Sequence, residues 1–312
     1  MTWRYTFTVF TPTFNRAHTL HRVYQSLTPQ TFRDFEWLVV DDGSTDNTRS
    51  LVSRWQDEAD FTIRYYWQEN AGLQSAWNLG AELAEGELFL KLDSDDECVP
   101  HALERLKYHW DRIPEVARRG FVGVTALVRR PDNELEGTPF PHSPLDSTAL
   151  EIRRYKVAGD KWGFLRTTVV RRYPFPIIEG ERFVPDSLVW NRMAARYRTR
   201  FVNEVLLTYY PSPDSLTSPL PRVLSPRGTA QFYREFVRSR AFLPTSTLLR
   251  AYANRVRYGL HAGEQLRAQW EEVPSRRHWL CALFPGLLLH ARDRHLLRRE
   301  RRKGKISVEG GS

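Results

Sequence analysis

The sequence predicts an α/β fold, a mainly parallel sheet flanked by helices, with a C-terminal helical extension. Three observations predict it. Strand-like and helix-like stretches alternate through the first 130 residues, the pattern of helices laid over a parallel sheet. Two of those strands run into clusters of carboxylates at their carboxyl ends, the edge at which open α/β sheets bind ligands. Residues 211–226 then hold five prolines and four serines, and a helical pattern follows over residues 229–270.

Residues 5–11 form a first strand, rich in aromatic and β-branched side chains, and residues 18–27 a helix with Leu20, Val23, Tyr24 and Leu27 on one face. The apolar run 35–40 reads as a buried parallel strand that stops at Asp41-Asp42-Gly43-Ser44. Thr45, Asp46, Asn47 and Thr48 supply capping side chains for the next helix, which carries Leu51, Val52 and Trp55. Residues 63–67 are a third strand, 73–84 a third helix, and 87–92 a fourth strand ending in Asp93-Ser94-Asp95-Asp96. A strand at 121–128, a polar, proline-rich loop at 131–144, a helix at 186–197 and a strand at 200–207 follow. The domain boundary falls in the proline-rich stretch, giving domains 1–215 and 216–312.

With 41% hydrophobic residues, 10 Trp, 13 Tyr and 17 Phe in 312, the chain can build a sizeable core. The N-terminus lacks the charged, apolar and small-residue regions of a signal peptide. The two cysteines, Cys98 and Cys281, stand in no metal or redox spacing. Both features predict a cytoplasmic protein. The longest apolar run, 279–289, is about half the length a spanning helix needs and is interrupted by Pro285-Gly286, so no transmembrane segment is expected. The net charge of +9 is concentrated at the C-terminus, where residues 276–305 hold ten Lys or Arg against Asp293 and Glu300.

Asp93, Asp95, Asp96 and Glu97 place four carboxylates in five positions. Such a cluster is unfavourable unless a cation neutralises it, and hard divalent ions such as Mg²⁺ or Mn²⁺ prefer carboxylate oxygens and bridge to diphosphates. The alternative is a solvated acidic turn. Asp41-Asp42-Gly43-Ser44 is equally a turn signal, but at the end of a neighbouring strand a carboxylate there can accept hydrogen bonds from a base or ribose. No P-loop or dinucleotide-binding glycine motif is present, so phosphate neutralisation falls to a metal and local donors.

Four segments, taken in order and spacing, resemble the family 2 glycosyltransferases, whose catalytic domain has the GT-A fold: Val9 to Arg16, Val39 to Asp46, Asn70-Ala71-Gly72 with Asn78-Leu79-Gly80, and Leu92 to Asp96. The resemblance implies inverting, metal-dependent transfer of a sugar from a nucleotide-sugar donor, most commonly a UDP-sugar, to an acceptor hydroxyl in polysaccharide or glycolipid synthesis. It implies that Thr11, Pro12, Thr13 and Asn15 lie against the nucleoside, that Asp41 or Asp42 contacts base or ribose, and that Asn70 and Gly72 lie near the donor. Asp95, with Asp93, would hold Mn²⁺ or Mg²⁺ in a DXD-type motif. The family's acceptor-side acidic residue, often in an ED pair, corresponds to Asp186, which is the expected general base and also reads as a helix N-cap; Glu179 and Glu181 lie just upstream. Gly159 to Trp162 resembles an acceptor-side segment in which Trp162 either stacks on a sugar or packs in the core.

Trp279, Leu280, Leu283 and Phe284 beside the basic stretch that ends with Lys303 and Lys305 suit an interfacial anchor on an anionic membrane surface, which would bring a lipid-linked acceptor within reach as well as a saccharide one. The competing readings are a nucleotidyltransferase, which usually carries a glycine-rich phosphate loop that is absent here, and a basic nucleic-acid-binding protein, for which positive charge alone is insufficient. No nucleic-acid partner is expected.

Overall fold

The structure is a computed structural model and describes residues 2–181, 183–211, 219–239 and 244–302. The chain divides into two compact units, Met1–Phe175 with Arg192–Ser215, and Pro176–Asn191 with Leu216–Ser312. Residues 176–191, assigned from sequence to the first domain, thus group with the C-terminal helices.

The first unit contains β1 (Tyr5–Thr13), α1 (Ala17–Leu27), β2 (Phe35–Asp41), α2 (Thr48–Glu58), β3 (Thr62–Trp67), α3 (Leu73–Leu83) and β4 (Gly86–Lys91). It continues through β5 (Glu97–Cys98), α4 (Ala102–Asp111), α5 (Glu115–Arg118), β6 (Phe121–Arg129), β7 (Leu145–Ser147), β8 (Lys161–Arg166) and α6 (Thr167–Val170). After α7 (Ser187–Ala194) comes β9 (Arg198–Thr208). The strands form one sheet in the order β3-β2-β1-β4-β8-β6-β9-β5, with β7 also pairing to β9. β1 to β4 are mutually parallel, β6 is parallel to β9, and β8 runs antiparallel between β4 and β6.

The parallel half follows from its sequence. Every residue of β2 is buried, as a central strand covered on both faces requires, and Phe7, Val9, Leu20, Val23, Trp37, Val39, Leu88 and Leu90 share one core. β8 has no counterpart among the strands that the sequence pattern predicts. Its alternation buries Trp162 and Phe164, and at Gly163 an added Cβ would lie 2.0 Å from the Val124 carbonyl oxygen, so the close approach of β6 requires glycine there. Part of the 131–144 loop is likewise packed: Phe140 is buried against Phe201, and its N–H and C=O are matched by the Asn203 side chain.

The second unit holds α8 (Pro219–Leu224), α9 (Pro226–Arg238), α10 (Thr245–His261), α11 (Leu266–Glu272) and α12 (Arg276–Arg302). Residues 212–218 of the expected linker lie outside the described residues, as do Lys303 and Lys305 of the basic tail. α12 continues as a helix through Pro285-Gly286. A Cβ at Gly286 would meet Val256 at 2.6 Å, so α10 and α12 approach closely where the proline ring replaces a helical N–H. No helix among the described residues is long and apolar enough to cross a membrane.

Candidate functional site

Parallel pairing brings both acidic clusters to one edge. β1 lies between β2 and β4, with Thr13 opposite Asp41 and Phe10 opposite Lys91. Leu92 extends the pairing by donating its N–H to the Phe10 carbonyl at 2.8 Å, and the chain then turns, with Asp96 N–H reaching Asp93 O at 3.2 Å. The 93–97 loop therefore leaves the sheet beside the loops that follow β1 and β2.

The carboxylates of that loop divide into two pairs. Asp96 is 3% exposed and accepts the Tyr210 N–H at 2.9 Å, while Glu97 accepts the Tyr210 hydroxyl at 3.1 Å. Burial, reinforced by repulsion from Asp93, pushes the Asp96 carboxyl up to about 8, with the Tyr210 amide opposing the shift. Asp93 and Asp95 face cations instead: Lys91 Nζ is 2.7 Å from Asp93, and the Arg16 guanidinium is 3.8 Å from Asp95. Burial and the neighbouring Asp93 raise Asp95 above the usual carboxylate range, although Arg16 draws it down. Among the described residues no group of three or more His, Cys, Asp or Glu comes together as a complete metal site; Asp93 and Asp95 supply two carboxylates, the oxygen donors that hard divalent cations prefer. Sequence reasoning missed what fixes this loop. Arg22 of α1 donates to the Asp95 carbonyl at 2.9 Å and stacks over the Tyr210 ring, 4.0 Å from its centroid. Neither residue belongs to a recognisable local motif.

At the end of β2 the two aspartates differ. Asp42 accepts four N–H groups, from Gln68 Nε2 (2.6 Å), Ala71 N (2.9 Å), Gly72 N (2.8 Å) and Asn70 Nδ2 (3.2 Å). Its oxygens are thus engaged in pinning the 68–72 loop, and Gly72, at φ +92°, takes a conformation few other residues tolerate. Asn70 and Gly72 are anchored partners of Asp42. Asp41 accepts one Ser44 N–H at 2.7 Å and the Tyr65 hydroxyl at 2.6 Å, leaving capacity on each oxygen.

The β1 residues also separate. The Thr11 side chain is fully buried and accepts the Trp37 indole N–H at 3.0 Å, so it supports the edge from below; Pro12 is buried as well. Thr13 is buried with a hydroxyl that meets no hydrogen-bonding partner among the described residues. Asn15, exposed and at φ 53°, ties the first loop to the second: its N–H donates to Ser44 Oγ and its Oδ1 accepts the Thr45 N–H, both at 2.8 Å.

In the second unit, Asp186 is half-buried and immediately precedes α7, its carbonyl accepting N–H bonds from Val189 (3.0 Å) and Trp190 (3.2 Å). Of its upstream neighbours, Glu181 is consumed at the start of α9, where its two oxygens each accept a backbone N–H at 2.7 Å, from Arg227 and Gly228. Glu179 is exposed. Trp162 belongs to the core, its indole donating to the Lys91 carbonyl at 2.6 Å, so the sugar-stacking reading gives way to packing.

Known proteins extend this picture. Over 100 residues the chain is 39% identical to the GalNAc(5)-diNAcBac-PP-undecaprenol beta-1,3-glucosyltransferase of Campylobacter jejuni, a stretch covering 31% of this chain and 32% of that protein. This chain thus spans about a third of that relative's length. The structure of S. aureus TarS 1-349 in complex with UDP-GlcNAc matches with a TM-score of 0.63 at 19% identity, over 96% of this chain and 93% of that one. The mannosyltransferase PcManGT from Pyrobaculum calidifontis, solved with GDP-Man and Mn2+, matches at 0.53 and 18% identity, over 94% and 88%. Both are likenesses of fold, and the sheet flanked by helices with a C-terminal helical part is that of TarS. The Glycosyl transferase family 2 model matches residues 8–167, half of the sequence, and the chain belongs to that family.

Proposed function

We propose that the protein transfers a sugar, with inversion, from a nucleotide-sugar to an acceptor hydroxyl in polysaccharide or glycolipid synthesis. The observation that carries this reading is the sorting of carboxylates at the carboxyl edge of the sheet. Asp96, Glu97 and Asp42 are engaged by Tyr210 and by the donors of residues 68–72, whereas Asp93 and Asp95 lie against each other with Lys91 and Arg16 as their ion-pair partners among the described residues. In this reading Asp93 and Asp95 hold Mn²⁺ or Mg²⁺, which supplies positive charge to the departing diphosphate. Asp41, with its spare acceptor capacity, and the Thr13 hydroxyl, which has no partner among the described residues, receive the nucleoside, while Asp42 holds the loop bearing Asn70 and Gly72. A UDP-sugar is the first donor to try, in keeping with the UDP-GlcNAc bound by TarS.

Asp186 takes the acceptor's hydroxyl proton as that oxygen attacks the anomeric carbon and the bond from that carbon to the nucleoside diphosphate breaks. Asp186 stands at the start of α7, half-buried, with its carbonyl held by the first turn of the helix. Asp186→Asn should lower kcat by about 10²–10⁴-fold and leave donor affinity unchanged. Unchanged turnover would move the base to another residue, with Glu179 the next to substitute.

The acceptor is a saccharide or a lipid-linked sugar, and the protein works in the cytoplasm at the inner face of the membrane. The reading as a whole is tested by a thermal-shift panel of UDP-, GDP-, dTDP- and CMP-sugars with and without Mn²⁺. Stabilisation by one nucleotide class that depends on the metal supports it and names the base. No shift with any donor argues against sugar transfer.

A further inference from the structure

The helical unit carries a surface that sugar transfer does not use. α12 turns one face inward: Trp279, Ala282, Gly286 and Asp293 are buried, and Asp293 is bound by Arg257 (2.7 Å) and His261 (3.0 Å) of α10. At 100° per residue the opposite face is formed by Leu280, Phe284, Leu287 and Leu288. Phe284 is 69% exposed, and Leu280 and Leu288 are each 55% exposed. A soluble surface seldom presents four large apolar side chains side by side.

The charges around that stripe say what covers it. Arg276 and Arg277 are exposed at its amino end, and Arg292, Arg294, Arg298 and Arg299 at its carboxyl end. The one acid among the described side chains of this helix, Asp293, is buried and paired. A second copy packed on the stripe, parallel or antiparallel, would set arginine against arginine, a juxtaposition that opposes association. A layer of anionic phosphate accepts all of these arginines together, and their long aliphatic stems let the guanidiniums reach it while the leucines enter the acyl boundary.

We propose that α12 lies flat on an anionic phospholipid surface, with Leu280, Phe284, Leu287 and Leu288 inserted and the flanking arginines on the phosphates. The helix is 27 residues long, so the contact extends over roughly 40 Å of membrane. This inference rests on the membrane placement within the proposed function and names the surface that makes it, but it needs neither donor nor metal, so its failure would leave sugar transfer untouched.

The test is co-sedimentation of the full chain with phosphatidylcholine vesicles, alone or mixed with phosphatidylglycerol. The chain should pellet with the mixed vesicles, remain in solution with the neutral ones, and be released by salt. Phe284→Ser with Leu288→Ser should reduce binding at least about tenfold. These side chains point away from α10, so circular dichroism should be unchanged. Replacing Arg292, Arg298 and Arg299 by Gln should weaken binding independently. Cys281 is exposed on the same side of α12 while Cys98 is buried, so an environment-sensitive thiol dye should report Cys281 and shift to the blue on the mixed vesicles. A wild-type chain that stays in solution overturns the proposal. So does full binding by the double serine variant, or a wild-type dimer that the same variant converts to monomer.

Discussion

Asp95→Asn is expected to abolish metal-dependent transfer, lowering kcat/KM by about 10²–10³-fold or more, while leaving the protein as stable as the wild type or slightly more so. The activity loss follows from the several kcal/mol that a metal contributes to a developing leaving-group charge, at about 1.4 kcal/mol per tenfold. The stability expectation follows from the sign of the pKa shift. Burial and Asp93 raise the folded-state pKa of Asp95 above its unfolded value, so its ionised form is disfavoured by folding at neutral pH, and removing the charge relieves that penalty. Asn also preserves the shape, and the contact it forfeits, with Arg16 at 3.8 Å, is long. The measurement is paired: turnover against Mn²⁺ concentration, and thermal midpoint without ligand. A variant that keeps its Mn²⁺ response would place the metal elsewhere. A midpoint lower by more than about 5 °C would mean that the substitution damaged the loop itself.

The parts of this site that were legible from sequence are those specified by contiguous residues. β2 and β4 could be read because an apolar run stopping at acidic turn residues is the local signature of a buried parallel strand meeting solvent, and the parallel order brings two such ends together. The division of labour among carboxylates could not be read. Asp41 and Asp42 are adjacent and chemically identical in the sequence, yet one has its oxygens filled by Gln68, Asn70, Ala71 and Gly72 while the other retains capacity. The same holds for Asp95 and Asp96, whose different fates depend on Tyr210 arriving from the far end of β9. β8 escaped because it is short, opens with Lys161, contains a glycine and gains its stability from strands distant in sequence. Pro285 shows the converse: a proline inside a helix costs a hydrogen bond, yet the close packing of α12 against α10 at Gly286 keeps the helix running.

Glu36 illustrates the same limit in a form that stability can test. It sits within the apolar run of β2 and is 0% exposed. Its partners come from three other segments. Thr8 Oγ1 donates to one oxygen at 2.6 Å and the Glu85 N–H to the same oxygen at 2.7 Å, while Arg64 Nη1 donates to the other at 2.8 Å. Arg64 also donates to the Leu83 carbonyl at 3.0 Å, so a single guanidinium joins β2, β3 and the end of α3 at the edge opposite the acidic loops. Arg64→Met keeps the aliphatic bulk but leaves a buried carboxylate without its cation, a change that costs about 3–5 kcal/mol. For a unit of this size the thermal midpoint should fall by roughly 6–20 °C. The charge account makes a second demand: adding Glu36→Gln to Arg64→Met should recover much of the loss, because the neutral amide still accepts from Thr8 and no orphaned charge remains. If the double variant is no more stable than Arg64→Met alone, the role of Arg64 is to hold the Leu83 carbonyl and fill space, not to neutralise Glu36. In either event donor binding at the far edge should survive at temperatures below the lowered midpoint, since the substitution touches none of the residues assigned to the nucleotide.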